Sequence, residues 1–331
     1  MDVAALCTQS LTEVAALIER REVSPVELTQ AMLARIERLD GTLHSYLTVI
    51  PERAVAAAET AEVELARGMR RGPLHGVPIG VKDLCATRGV RTTCASGVFA
   101  QRVPDADATV VRRLAAAGAV ILGKLNLTEF ALMGYHPSLP RPCNPWDRRR
   151  DTGGSSSGSA VAVAAGLCFA AIGTDTGGSI RLPSAWCGVV GLKPTYGRVS
   201  RAGVFPLAAS LDHVGPMTRR VADAALMLDV MAGFDPDDPT TLREPPPRCA
   251  AGIGEEVRGL RIGWDARFVG DGAHPAVVDA VQHAVRVLAA QGAEVVEVEL
   301  PPVDAVLPAW PVLCGAEAAA AHAATFPRAR R

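Results

Sequence analysis

Asp151-Thr152-Gly153-Gly154-Ser155-Ser156-Ser157-Gly158-Ser159 opens a stretch that continues through small and apolar residues, Ala160 to Thr174. It closes on Asp175-Thr176-Gly177-Gly178-Ser179-Ile180-Arg181-Leu182-Pro183. Two Gly-Gly-Ser clusters therefore bracket one apolar run. Glycine pairs admit positive φ and let another group come close to the main chain. Successive N–H groups in such a turn form an anion-binding concavity. A serine ending the turn sits beside those donors, and acyl transfer needs that pairing of nucleophile and oxyanion hole. A pair of flexible Gly/Ser loops is the bland alternative, but linkers do not carry a core segment between them.

Composition narrows the classes. The chain has 331 residues, 49% hydrophobic and 21% charged, which is ordinary for a globular protein and compatible with one large α/β domain. A net charge of -1 gives no electrostatic case for nucleic acid or an anionic membrane. Aromatics at 4% leave no stacking platform for bases. The cysteines, Cys7, Cys85, Cys94, Cys143, Cys168, Cys187, Cys249 and Cys314, form no CxxC pair and stand at no zinc spacing to a histidine. With no basic segment at Met1-Asp2-Val3, they read as reduced thiols of a cytoplasmic protein. The uncharged run Thr152 to Thr174 begins as Gly/Ser loop, so what remains is too short to cross a membrane.

Outward from the central stretch, the chain alternates helices and strands. Ser10-Leu11-Thr12-Glu13 is a capping box. Ser24-Pro25-Val26-Glu27 starts a second helix with Leu28, Met32, Ile36 and Leu39 on one face and Gly41 as its stop. A third helix is expected over Ala54 to Gly68. Val77 to Val81 reads as a short buried strand with Lys82 at its end. That lysine is either a snorkelling surface residue or a buried amine with a task. His75 reads as structural or surface. Helix Asp107 to Gly118 and strand Val120-Ile121-Leu122 follow, and Gly123 beside Lys124 predicts an exposed turn. Beyond the centre come a strand over 188–195, a helix over Val221 to Met231 and a proline-rich excursion, Pro236 to Pro247. Strand 259–263, helix Pro275 to Ala290 and strand Ala293 to Leu300 make one β-α-β unit. Val303 to Ala324 is expected to be helical, before Arg328-Ala329-Arg330-Arg331.

The chemistry has rivals. P-loop and GxGxxG patterns are absent. Gly154-Ser155-Ser156-Ser157-Gly158 matches GxSxG, but an arginine-rich loop, Arg148-Arg149-Arg150, precedes it where a nucleophile elbow needs a strand. His213, His274, His283 and His322 are partners for such a serine by chain order alone.

Lys82 after Gly76-Val77-Pro78-Ile79, the paired serine clusters, and Cys187-Gly188-Val189-Val190-Gly191-Leu192-Lys193-Pro194-Thr195 together resemble the amidase signature family. The resemblance runs from the first capped helix to the last. It implies a single α/β amidase-signature domain with a mixed, twisted sheet covered by helices, short at its C-terminus. Its parts would be N-terminal helices (1–70), a catalytic core (71–233), a Pro-rich excursion (234–258), and a β-α-β unit with a helix (259–331). By the same resemblance, Ser179 is the nucleophile, Ser155 the bridging serine on a cis peptide bond, and Lys82 the base. The N–H groups of Thr176, Gly177, Gly178 and Ser179 form the oxyanion hole, with Ser156 and Thr174 as supporting neighbours. No cofactor or metal is implied.

A serine hydroxyl needs a base to become nucleophilic, and a lysine is a base only when burial lowers its pKa. The apolar setting of Lys82 supplies that condition. Ser157 stands where the family usually has glycine; a positive φ there would add strain of about 1 kcal/mol. Three functions follow. The first is hydrolysis of a small carboxamide, with the amide as the only partner and a homodimer left open. The second is the glutaminase-type component of an aminoacyl-tRNA amidotransferase, its A subunit, with partner subunits. The third is an inactive truncated paralogue that binds a partner.

Overall fold

Ser10 caps α2 (Leu11–Glu19) in a reciprocal capping box with Glu13, just after the single turn α1 (Val3–Leu6). Ser24 accepts from the N–H groups of Val26 and Glu27 and starts α3 (Pro25–Leu43), with proline pre-set for its first turn. Leu28, Met32 and Ile36 are buried along one face of α3. The helix does not stop at Gly41. It runs on to His44, which takes the left-handed conformation (φ 53°). The carboxylate of Asp40 explains the extension: it accepts from Ser45 N–H and Tyr46 N–H at 2.8 and 3.0 Å and so holds the exit.

In the computed structural model, residues 3–246 and 248–326 are described. Met1-Asp2, Pro247 and the arginine-rich end, 327–331, lie outside the described residues. The remaining elements of the first part are β1 (Tyr46–Val49), α4 (Pro51–Ala66), β2 (Pro78–Lys82), α5 (Thr109–Ala116), β3 (Val120–Leu125), α6 (Ser157–Ala164), β4 (Ala170–Asp175), α7 (Arg181–Cys187), β5 (Val190–Gly191), β6 (His213–Thr218) and α8 (Val221–Met231). Contacts divide the chain into two compact units, 1–251 with 313–331, and 252–312.

The first unit is built on a six-stranded sheet in the order β1-β3-β2-β4-β6-β5. β2 runs parallel to both β3 and β4, whereas β1, β6 and β5 add antiparallel edges, so the sheet is mixed as expected. Every residue of β2 and β4 is buried, as befits central strands covered on both faces. Helix α6 packs on β4, α4 on β3 and α8 on β6. The apolar run of the central stretch is thus two elements: a helix after the first serine cluster and a strand leading into the second.

One expectation is overturned here. Gly123 and Lys124 are not an exposed turn; they lie inside β3, and Lys124 is fully buried. The glycine serves close approach instead: a Cβ at position 123 would stand 2.2 Å from the Thr48 carbonyl oxygen on β1. Ser157 opens α6 in helical conformation, so no positive φ is asked of it.

The second unit contains β7 (Arg261–Trp264), α9 (Ala266–Gly270), α10 (Pro275–Ala290) and β8 (Glu294–Glu297). β7 and β8 pair in parallel, completing the β-α-β unit read from the sequence. The helix expected at the end of the chain is α11 (Val306–Ala321).

Candidate active site

β2 carries Lys82 to its end and leaves the side chain completely buried. The amine donates to three hydroxyls: Ser155 Oγ at 2.7 Å, Ser156 Oγ at 2.8 Å and Thr174 Oγ1 at 2.7 Å. Burial disfavours the ammonium form and pulls the Lys82 pKa down to about 7, while Cys85, Asp175 and Asp212 at longer range oppose that shift. Hydroxyls suit such an amine because they can accept from an ammonium or donate to a neutral nitrogen. The strand β4 supplies Thr174, and the loop entering α6 supplies the two serines. The Gly154–Ser155 peptide bond is cis. Ser155 O accepts from Thr128 N–H at 3.3 Å, which ties this loop to the chain beyond β3.

Ser179 is half-buried and belongs to the turn between β4 and α7. Its carbonyl accepts from Ser156 N–H at 3.1 Å, so the two serine clusters are joined through the backbone. They also touch at Gly153 (φ 69°), where a Cβ would come within 2.9 Å of Pro183 Cα. The sequence separated these clusters by a helix and a strand; the fold brings Lys82, Ser155, Ser156, Thr174 and the backbone of Ser179 together.

Asp175 is the residue that sequence reasoning missed. Its carboxylate accepts from the N–H groups of Gly178 (2.8 Å), Ile180 (3.1 Å) and Arg181 (3.3 Å), and from the Arg181 guanidinium at 2.9 and 3.0 Å. Burial pushes this carboxyl up, but those donors outweigh it and hold the pKa below the usual aspartate value. Asp175 therefore shapes the turn that presents Ser179. It also engages Gly178 N–H, one of the four donors expected to face an oxyanion. Thr176 is fixed through its side chain, whose hydroxyl donates to Asp212 Oδ1 at 2.5 Å. The signal was present: an aspartate followed three residues later by a glycine N–H is a turn-forming pattern.

The other candidates fall elsewhere. Lys124 donates to the Cys85 carbonyl, to Thr87 Oγ1 (2.9 Å) and to Thr92 Oγ1 (3.1 Å), with Asp83 Oδ1 at 3.9 Å. His75 is buried and pairs with Glu64 at 3.0 Å, a structural role. His274 caps α10, His283 is exposed and His322 packs edge-on against Phe130. His213 lines a cavity of about 250 Å³ that also contacts Leu84, Thr174, Thr176, Phe205 and Asp212. Among the described residues, no group of His, Cys, Asp or Glu is arranged to hold a metal ion, and no helix is long and apolar enough to cross a membrane.

Comparison with known proteins adds relatives to this geometry. The amidase family model matches residues 27–328. AmiD of Mycobacterium tuberculosis, assigned by its name to the amidases, is 56% identical over 265 residues, covering 80% of this chain and 56% of that protein. The A subunit of the glutamyl-tRNA(Gln) amidotransferase of Methylococcus capsulatus is 51% identical over 311 residues, 93% of this chain and 64% of its own length. The native peptide amidase of Stenotrophomonas maltophilia superimposes with a TM-score of 0.87 at 39% identity, over 97% of this chain and 68% of that one. The chain thus spans 56% and 64% of the two curated relatives' lengths.

Proposed function

The chain belongs to the amidase family, and from that premise we propose that it cleaves a carboxamide C–N bond through an acyl-enzyme on Ser179. Lys82 is the base and Ser155 the relay. One observation carries this reading: a fully buried amine, its pKa near 7, held by hydroxyls. At neutral pH a large fraction of Lys82 is unprotonated and can take a proton from Ser155, which takes one from Ser179. Ser179 Oγ then bonds to the carbonyl carbon, and the oxyanion is met by N–H groups of the 176–179 turn other than that of Gly178, which donates to Asp175 Oδ1. The C–N bond breaks as the proton returns through Ser155 to the departing nitrogen, giving ammonia or an amine. Water attacks the acyl carbon by the same relay, releases the carboxylate and restores Ser179. Ser156 and Thr174 keep the Lys82 nitrogen in place. Eight free cysteines fit a reducing, cytoplasmic setting for this chemistry.

Fluorophosphonates test the nucleophile by forming an Oγ–P bond with loss of fluoride. Intact mass is expected to show one adduct on the parent and none on Ser179→Ala. An unmodified, folded parent would refute the assembled triad and favour a chain that acts only by binding.

A second reading is favoured by the 51% identity to the glutaminase-type component of an amidotransferase over 93% of this chain. The same acyl-enzyme steps, with glutamine as the amide, would then release ammonia to a partner protein. Affinity purification of the tagged chain from its own cells separates the two: partners at fixed stoichiometry support the second reading, and a chain that comes alone supports the first.

A further inference from the structure

Among the described residues, His213 is the histidine that reaches the surroundings of the lysine–serine cluster, and the steps above do not use it. It is the first residue of β6 and pairs across the sheet with Asp175, next to Thr174 in the facing strand. Its Nδ1 stands 2.6 Å from the Leu211 carbonyl oxygen and 3.1 Å from that of Asp175. Carbonyl oxygens only accept, so Nδ1 carries the hydrogen and Nε2 holds a lone pair. The ring is further set by an edge contact with Tyr196, 5.6 Å between centroids. Burial and nearby Lys193 lower the His213 pKa from 6.5, which keeps the imidazole neutral at pH 7.

Other polar side chains line the cavity too: Asp238 accepts from Arg201 N–H and from Thr240, the Arg201 guanidinium donates to Thr240, and Asp237 faces Arg112 at 3.9 Å. Asp212 is engaged by Thr176 Oγ1, Leu207 N–H and Ala208 N–H. Leu84, Phe205 and Leu207 make much of the wall apolar. At about 250 Å³ the space lies below the usual range for drug-sized ligands, and it reaches the lysine–serine cluster through Thr174 and Thr176, so it suits a small group beside that cluster.

We propose that His213 is a specificity residue, whose Nε2 accepts a hydrogen bond from a donor on the acyl side of the substrate. The preferred amides then carry a hydroxyl or N–H near the scissile carbonyl, and plain aliphatic amides are poorer. This rests on the amidase reading above. A site that hydrogen-bonds a substrate donor rejects the analogue lacking that donor, because the Nε2 lone pair is left without a partner.

The experiment compares matched amides, lactamide with propanamide and their longer homologues, on the parent, His213→Leu and His213→Gln, each also labelled with the fluorophosphonate. The parent is expected to favour the hydroxyl-bearing member in kcat/KM by about tenfold, equivalent to one hydrogen bond. His213→Leu is expected to lose that preference, mainly through KM, and His213→Gln, which retains an acceptor, to regain most of it. Equal use of both amides by the parent, or a preference that survives His213→Leu, overturns the proposal. So does a parent that is labelled yet consumes neither series. Failure of labelling itself would instead strike the amidase reading, so the two failures are told apart.

Discussion

Two lysines lie fully buried on neighbouring strands, and their surroundings differ in kind. Val81 of β2 pairs with Lys124 of β3, and Lys82 with Leu125, so the alternation of side chains sends the two amines to opposite faces of the sheet. Lys82 meets three hydroxyls. Lys124 meets a carbonyl, two threonine hydroxyls and, at 3.9 Å, the buried Asp83 carboxylate. Burial lowers both lysine pKa values and raises that of Asp83, while attraction between Lys124 and Asp83 opposes both of their shifts. The hydroxyls of Thr87 and Thr92 already donate to the carbonyls of Cys85 and Val90, so a neutral Lys124 would find no donor for its lone pair; a neutral Lys82 would keep its network by accepting from Ser155. Burial alone therefore does not make a base. What the amine is bonded to decides whether it can release its proton.

The largest test of that contrast is Lys82→Met. It is expected to lower turnover by about 10⁴-fold or more, as loss of one member of a catalytic unit does, with the circular dichroism spectrum kept. Retention of the parent rate would end the comparison. Lys124→Met should act on the fold instead. Leaving Asp83 buried without its partner is expected to destabilise by about 3–5 kcal/mol, read by urea denaturation, while folded molecules keep their fluorophosphonate reactivity. A variant that is as stable as the parent but unreactive would move Lys124 into the catalytic machinery.

The pH dependence sharpens the contrast further. With the Lys82 pKa near 7, kcat/KM should fall about tenfold for each unit of pH well below 7 and level off above it. In the unfolded chain that lysine titrates near 10.5, so between about 7 and 10.5 the unfolded state holds a proton that the folded state lacks. Stability from this group accordingly rises with pH across that window. Lys82→Met should flatten the rise, and Lys124→Met should leave the acidic limb of the rate profile where it was. An acidic limb that persists in any residual activity of Lys82→Met would assign it to another group.

Local signals served the sequence reading well where the cause was local. The serine caps of α2 and α3, the proline at the start of α10 and the β-α-β unit of residues 261–297 follow from short-range rules. Lys82 does not: its hydroxyl partners lie 73 to 92 residues away, and its reading as a base came from the family resemblance. Most of what escaped depends on partners distant in the chain. Gly123 resembles a turn former until the Thr48 carbonyl is brought against it. β6 contains Gly215 and Pro216, which argue against a strand, and it is held in place by pairing with β4 and β5. Asp175 is the exception, because its five donors belong to Gly178, Ile180 and Arg181, three to six residues away, and the signal for it was local. His213 could be ranked only by chain order, because its value lies in facing Asp175 across the sheet.

The backbone bond from Ser156 to Ser179, together with the close contact of Gly153 with Pro183, bears on how this site can be rebuilt. Neither serine loop is a portable cassette. Grafting one of them into a foreign scaffold would import half of an interlocked joint, with its glycines facing the wrong neighbour. Recombination between homologues should likewise succeed at crossovers outside residues 153–183 and fail at crossovers within them, since the two halves must arrive from one parent to fit.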